Sequence, residues 1–197
     1  HIHDWPVAAI PLLHDEMYLS LGIKPIHTLL TIHNLEYQGK CLPKHLTRTG
    51  LRGDDYLLPE KLQDPENPKL LNLLKGGIKH AKSITTVSPS YEKEIKTLKG
   101  GHGLHLVLKE ESHKLKGILN GIDADFWNPE IDPYLTQNFP AQAPFTKEKW
   151  ALTVEKKEAN KKELRQRLGL ENKQTPIFAC ITRLVSRACR CASLAVS

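Results

Sequence analysis

Short apolar runs alternate along this chain with longer stretches in which apolar residues recur at helical spacing. The runs typical of buried strands lie at residues 27–33, 83–87, 115–122 and 176–184. Apolar residues recur at helical spacing at residues 70–81. Residues 155–168 predict a charged helix, which Gly169 is suited to end. Strands and helices in alternation predict an α/β fold built on a parallel sheet with helices on both faces.

Turn-forming residues mark further boundaries. Ser88 followed by Pro89 predicts the start of a helix, because serine caps the first turn and proline suits the first helical position. Residues 48–69 are rich in Asp, Pro and Gly, which predicts an irregular surface excursion. Residues 127–146 contain four prolines, a composition typical of a linker.

Composition narrows the class of protein without identifying it. Of the 197 residues, 40% are hydrophobic and 25% charged, as in ordinary globular domains. No apolar run approaches the roughly 20 residues that span a bilayer, so we expect no membrane partner. The net charge of +6 is spread along the chain, which argues against a nucleic-acid partner. The four cysteines match no common zinc spacing, so we expect no metal site, and thiols kept reduced in the cytoplasm.

Three polar clusters contain residues suited to chemistry. The segment His1–Trp5 contains two imidazoles and a carboxylate. These groups can bind a metal, act as acid or base, or hydrogen-bond a sugar hydroxyl. They can equally form a structural hydrogen-bond network at the end of a strand. His33 and Asn34 come directly after an apolar strand, where ligands bind in open α/β sheets, unless His33 is a core histidine bonded to backbone. The segment Asn120–Gly121 also ends a strand, and it suits any tight turn.

Taken together and in this order, the clusters are far more specific. The chain resembles the bacterial glycogen synthases and plant starch synthases in the blocks HDW, TIHNLEYQG, NLLKGGIKHAKSITTVSPSYEKEI, GILNGIDADFWNP and ITRL. The resemblance extends over about residues 1–185, and its most distinctive parts are TVSPSY and LNGID-x-x-x-W-NP.

The resemblance implies a GT-B fold, in which two Rossmann-like domains face each other across a cleft. We expect most of the N-terminal, acceptor-side domain at residues 1–126 and an interdomain linker and helix at residues 127–175. Residues 176–197 would hold the first strand of a C-terminal domain that is otherwise almost wholly missing, and a tail that departs from the family. The implied reaction moves glucose from ADP-glucose to the non-reducing end of an α-1,4-glucan with retention, without metal or cofactor.

The resemblance also implies roles for four residues. Asp4 and His33 match family residues important for activity at the glucosyl group, and Asn120 matches one that lines the donor-sugar pocket. Arg183 matches an arginine that binds the donor diphosphate, where negative charge gathers as the glycosidic bond breaks. The expected partners are therefore an α-1,4-glucan acceptor and ADP-glucose, in the cytoplasm or, in a plant, the plastid.

Several departures from the family pattern predict that this chain alone is inactive. Ala188 stands where the family has a second phosphate-binding lysine, and the chain starts at His1 without Met, which suggests truncation. Two alternatives remain open. The chain could be a non-catalytic glucan-binding remnant, or part of another GT-B enzyme such as a sucrose or trehalose-phosphate synthase.

Overall fold

The computed structural model describes residues 1–144, 146–171 and 173–179. Within them the strands are β1 (Ile2–His3), β2 (Leu29–Ile32), β3 (Lys40–Cys41), β4 (Leu71–Asn72), β5 (Ser83–Thr86) and β6 (Leu115–Gly117). Strands β1, β2, β5 and β6 form a parallel sheet in the spatial order β1-β2-β5-β6, and β3 pairs with β4 in the antiparallel sense. The parallel sheet places the carboxyl ends of its four strands at one edge, where ligands bind in folds of this type.

Helices connect these strands. They are α1 (Ile10–Leu13), continued by a π-helical turn over His14–Tyr18, then α2 (Pro43–Thr47), α3 (Leu73–His80), α4 (Pro89–Glu94), α5 (His105–Glu110) and α6 (Lys147–Arg167). Short 3-10 turns lie at Trp5–Val7, Gly53–Tyr56 and Ser112–Lys114. In the described part of the chain, no helix combines the length and apolar character needed to cross a bilayer.

The predicted parallel α/β fold is confirmed, although several predicted elements change length. Strand β6 ends at Gly117 rather than at residue 122, because its neighbour β5 ends at Thr86 and leaves no strand to pair with beyond Ile118. Helix α6 begins at Lys147, eight positions before the predicted start, where the Thr146 side chain accepts a hydrogen bond from the Lys149 backbone. Of the predicted strand 176–184, residues 176–179 have no regular structure and the rest lies outside the described residues.

One hydrophobic core lies against the parallel sheet. Along β2 and β5 burial alternates, so that Leu30, Ile32 and Ile84 are buried while Thr31 and Thr85 lie on the other face. The buried face packs against Leu74 and other apolar residues of the following helices. The alternation sends the Thr31 and Thr85 side chains of the two strands to the same face.

A second core corrects the view of residues 48–69 as an irregular surface excursion. Apolar side chains of this segment pack with those of α1 and α2; the buried members are Leu12, Leu46, Leu51, Tyr56, Leu62 and Leu71. Buried Asn72 joins the segment to α3, because its side-chain oxygen caps the helix at Lys75 while its amide donates to Asp64 and Gln38. The predicted helix 70–81 accordingly begins only at Leu73, after a two-residue strand.

The chain divides into two compact units. The first is His1–Gly121, and the second begins at Ile122, close to the predicted boundary after residue 126. In the second unit Gly169 has a φ of 64°, which favours glycine, and follows the end of α6 as its position in the sequence predicts.

Candidate active site

The site lies at the carboxyl edge of the parallel sheet, where β1 and β2 end side by side. Asp4 follows β1 and His33 follows β2, and the register of the two strands pairs His3 with Thr31. The Asp4 carboxylate accepts a hydrogen bond from the His33 backbone amide at 2.7 Å and faces the Asn34 amide at 3.4 Å. The structure thus brings together the two residues to which the sequence assigned a catalytic role.

Asp4 has a strained backbone. Its φ of 55° and ψ of −171° lie in a region that residues with a side chain rarely occupy and that costs about 1–3 kcal/mol. Two hydrogen bonds stabilise this strained conformation. The Asp4 amide donates to the Thr31 carbonyl at 2.9 Å, and the Asp4 carboxylate accepts from the His33 amide. Such strain clusters at functional sites, since a residue without a special role would relax or be replaced by glycine.

Imidazole rings line the same edge of the sheet. His3 Nδ1 lies 2.9 Å from His33 Nε2, and the His1 ring lies 4.2 Å from that of His3, centroid to centroid. His1 Nε2 is hydrogen-bonded to the Thr31 hydroxyl at 2.6 Å, which in turn meets Thr85 of β5. No three His, Cys, Asp or Glu side chains of the described residues are placed to hold a metal ion. The contacts that these histidines make are hydrogen bonds and ring contacts.

Trp5 packs against Gly39 and so joins the first two polar clusters. A Cβ on Gly39 would lie 2.5 Å from Trp5 Cε3, and the glycine φ of 63° is itself unfavourable for other residues. Only glycine at position 39 therefore lets the indole lie so close to the backbone. The contact places the tryptophan of HDW against the glycine of TIHNLEYQG.

The loop after His33 is fixed from behind by buried polar groups. Gln38 is buried and donates to the carbonyls of Leu35 and His102, both at 2.9 Å. The Leu35 amide donates to the Tyr91 hydroxyl at 3.1 Å. These bonds hold the loop that follows β2 without using the His33 side chain. Asn34 also supports the loop, because its Oδ1 accepts from the Glu36 amide at 3.0 Å.

Helix α4 ties two strand ends together. Ser88 caps it by accepting from the Tyr91 amide at 2.9 Å, as the sequence predicted. Tyr91 then holds the loop after β2, while the Glu92 carboxylate accepts from the Gly117 amide at 2.8 Å, at the end of β6. Sequence reasoning missed Tyr91 and Glu92 as supporting residues, although Tyr91 ends the distinctive TVSPSY block and Glu92 follows it directly.

Asn120 is not hydrogen-bonded to this pair. It is exposed, three residues beyond β6, and β5 lies between β6 and β2 in the sheet. Among the described residues, its side chain has no hydrogen-bond partner. Arg183 lies outside the described residues, so its predicted role as a diphosphate ligand stays a prediction.

Gly117 provides a test of the α4 contacts. A Cβ at this position would lie 2.4 Å from the Ser88 carbonyl oxygen, which is backbone and cannot rotate away. We expect Gly117→Ala to destabilise the chain by about 1–3 kcal/mol, measured by urea unfolding. Gly121→Ala is the matched control, because no atom lies within 4 Å of its added Cβ. Equal stabilities for the two variants would show that β6 and α4 do not approach as described.

Glu92 makes the stability of this region depend on pH. The hydrogen bond from Gly117, and then that from Lys96, lower the pKa of Glu92 below its ordinary value of 4.5. A carboxyl with a lowered folded-state pKa stabilises the fold above its unfolded pKa, and this contribution is lost as the pH falls through the folded value. Glu92→Gln should therefore be less stable than the parent at pH 7, and the difference should shrink steadily below about pH 4.5. A difference independent of pH, or one equally large for Glu94→Gln on the same helix, would contradict the assignment.

Comparison with known proteins places this geometry in a family. The sequence profile of the family described as the starch synthase catalytic domain matches residues 1–110, which include Asp4, His33 and Tyr91. A solved structure, the catalytic domain of starch synthase IV from Arabidopsis thaliana bound to ADP and acarbose, superposes with a TM-score of 0.79. It is 37% identical in sequence, over 98% of this chain and 39% of that one.

Curated relatives agree with the structural match. The glycogen synthase of Protochlamydia amoebophila is 48% identical over 94% of this chain and 37% of its own length. The probable starch synthase 4 of Arabidopsis thaliana is 39% identical over 94% of this chain and 17% of its own length. The chain therefore spans less than half the length of these relatives.

The parallel sheet and the structural match assign the described part of the chain to the GT-B fold class. Within that class, the chain belongs to the family of the starch synthase catalytic domain. The resemblance drawn from the sequence blocks is thereby confirmed.

Proposed function

We propose that the protein represented by this chain transfers glucose from ADP-glucose to the non-reducing end of an α-1,4-glucan, with retention of configuration. The observation that carries the proposal is the hydrogen-bonded Asp4–His33 pair at the carboxyl edge of the sheet. Asp4 has a strained backbone, and both residues lie in the part of the chain that the family matches. The Arabidopsis neighbour was solved with ADP and acarbose. The donor is a substrate, and the proposal includes no cofactor or metal.

The two residues suit different parts of this reaction. The exposed imidazole of His33 can donate to or accept from a hydroxyl of the transferred glucosyl group. Because the glucosyl carbon gains positive charge in the transition state, groups that fix its hydroxyls act most strongly there. Asp4 holds the His33 backbone in place through a hydrogen bond to the amide, and its carboxylate adds negative charge beside a cationic sugar.

The remaining roles concern the donor. We propose that Asn120 lines the donor-sugar pocket and that Arg183 binds the diphosphate, as the matched blocks imply. A guanidinium directed at the leaving diphosphate would stabilise the charge that develops as the bond breaks. The proposed location is the cytoplasm, or the plastid for a plant protein.

Activity measured in two proteins tests this function. The first is the chain alone, which should release no ADP from ADP-glucose and glycogen above a heat-treated control. The second is a chimaera, in which residues 1–169 of this chain replace their matched counterpart in the Protochlamydia glycogen synthase, and it should release ADP. Glycogen binding without turnover by a folded chimaera would favour the glucan-binding remnant, and a preference for another nucleotide sugar or acceptor would favour another GT-B enzyme.

A further inference from the structure

The contact between His3 and His33 follows from strand register. His3 on β1 pairs with Thr31 on β2, and the alternation along β2 sends Thr31 and His33 to the same side while Leu30 and Ile32 are buried. His3 Nδ1 thereby meets His33 Nε2 at 2.9 Å, with ring centroids 5.2 Å apart and the planes tilted by 30°. The contact joins two residues that lie 30 positions apart.

A hydrogen bond between two imidazole nitrogens restricts both rings. One nitrogen must carry the proton and the other must offer its lone pair, so the tautomers of the two rings are coupled. Either His3 Nδ1–H donates to His33 Nε2, or His33 Nε2–H donates to His3 Nδ1. In both cases the bond fixes the orientation of the two rings relative to each other.

His3 is also what orients the His33 ring. Among the described residues, no other side chain forms a hydrogen bond with the His33 imidazole, whose backbone amide alone is held by Asp4. The His33 side chain is exposed, so without His3 it would be free to rotate about its side-chain bonds. An ordered ring is worth most where it must meet a substrate hydroxyl in a single geometry.

We propose that His3 is a positioning residue for His33, fixing its ring orientation and coupling its tautomer to that of His3 through the Nδ1–Nε2 hydrogen bond. This inference rests on the proposed function for the statement that His33 faces the sugar. The hydrogen bond itself does not depend on that function. His1, stacked on His3 and bonded to Thr31, supports the position of His3 without reaching His33.

Imidazole ¹⁵N NMR of the full chain tests the contact. In the parent we expect a coupling through the hydrogen bond between the His3 and His33 nitrogens, and His33 ¹⁵N shifts that differ from those of a free imidazole. In His3→Ala the coupling should vanish, and both His33 nitrogens should shift towards the average of a free imidazole. His3→Asn, whose amide can also bond to His33 Nε2, should keep His33 shifts closer to those of the parent. His27→Ala is the matched control, because exposed His27 bonds Ser83 at the other end of β2 and should leave His33 unchanged.

Unchanged His33 nitrogen shifts in folded His3→Ala would overturn the inference. If that variant does not fold, the absence of the coupling in the parent would overturn it instead. In the chimaera, His3→Ala should lower kcat roughly 10-fold, at the low end of what histidine-orienting partners contribute in well-studied sites, with KM for glycogen nearly unchanged and partial rescue by His3→Asn. An inactive chimaera with the NMR contact intact would count against the proposed function and leave the contact standing.

Discussion

His33→Ala in the chimaera is expected to lower kcat roughly 10²- to 10³-fold, the range found when one preorganised polar group is removed from a transition state. Its stability should change little, because the His33 side chain is exposed and the hydrogen bond to Asp4 uses the backbone amide, which alanine keeps. A group that acts mainly in the transition state shows its loss in kcat more than in KM. Steady-state kinetics with ADP-glucose and glycogen, with thermal unfolding in parallel, provide both measurements.

His27→Ala serves as the matched control for this experiment. His27 is also exposed and hydrogen-bonded, but it lies at the amino end of β2, far along the strand from His33. It should keep the parent kcat. If His33→Ala instead kept its kcat and unfolded several degrees lower, His33 would be a structural residue, which is the alternative that the sequence left open.

Substitutions of Asp4 should separate function from stability. Asp4→Gly and Asp4→Ala both remove the carboxylate that accepts from His33, so both should abolish measurable transfer in the chimaera. They differ in the backbone, because glycine adopts a φ of 55° without strain and alanine does not. The strain costs about 1–3 kcal/mol, and glycine loses roughly 0.5–1 kcal/mol more than alanine in conformational entropy on folding. We therefore expect Asp4→Gly to be about 1–2 kcal/mol more stable than Asp4→Ala.

Urea unfolding of the two variants of this chain measures that difference. Asp15→Gly and Asp15→Ala offer a control pair, because Asp15 lies in a π-helical turn and has no positive φ. There the glycine variant should be the less stable of the two. Asp4→Gly that is no more stable than Asp4→Ala would show that the backbone at Asp4 is not strained in solution.

Much of the fold follows from local patterns in the sequence. Strands β2 and β5 were predicted because β-branched and apolar residues are concentrated there, and α4 because Ser88 and Pro89 mark its start. The second core was not predicted, since its apolar residues are scattered among Asp, Pro and Gly and meet only in three dimensions. The end of β6 also depended on a neighbour, because β5 stops pairing at Thr86.

The candidate site was predictable in part. The pattern placed His33 directly after an apolar strand, and the resemblance of the HDW and IHN blocks to the family implied roles for Asp4 and His33. The strain at Asp4 and the contact of Trp5 with Gly39 leave no local signal, since both depend on how two distant segments approach. The roles of Tyr91 and Glu92 were hidden for a similar reason, because each supports a strand end far away in the sequence.

The most direct test of the proposed function is glucosyl transfer by the chimaera that carries residues 1–169 of this chain. The measurement is incorporation of labelled glucose from ADP-glucose into glycogen, with Asp4→Asn as the inactive comparison and the parent Protochlamydia enzyme as the reference. We expect the chimaera to incorporate labelled glucose, and we expect no incorporation by its Asp4→Asn variant or by the chain alone. A folded chimaera that incorporates no glucose, or an Asp4→Asn variant as active as the chimaera, would contradict the proposed function.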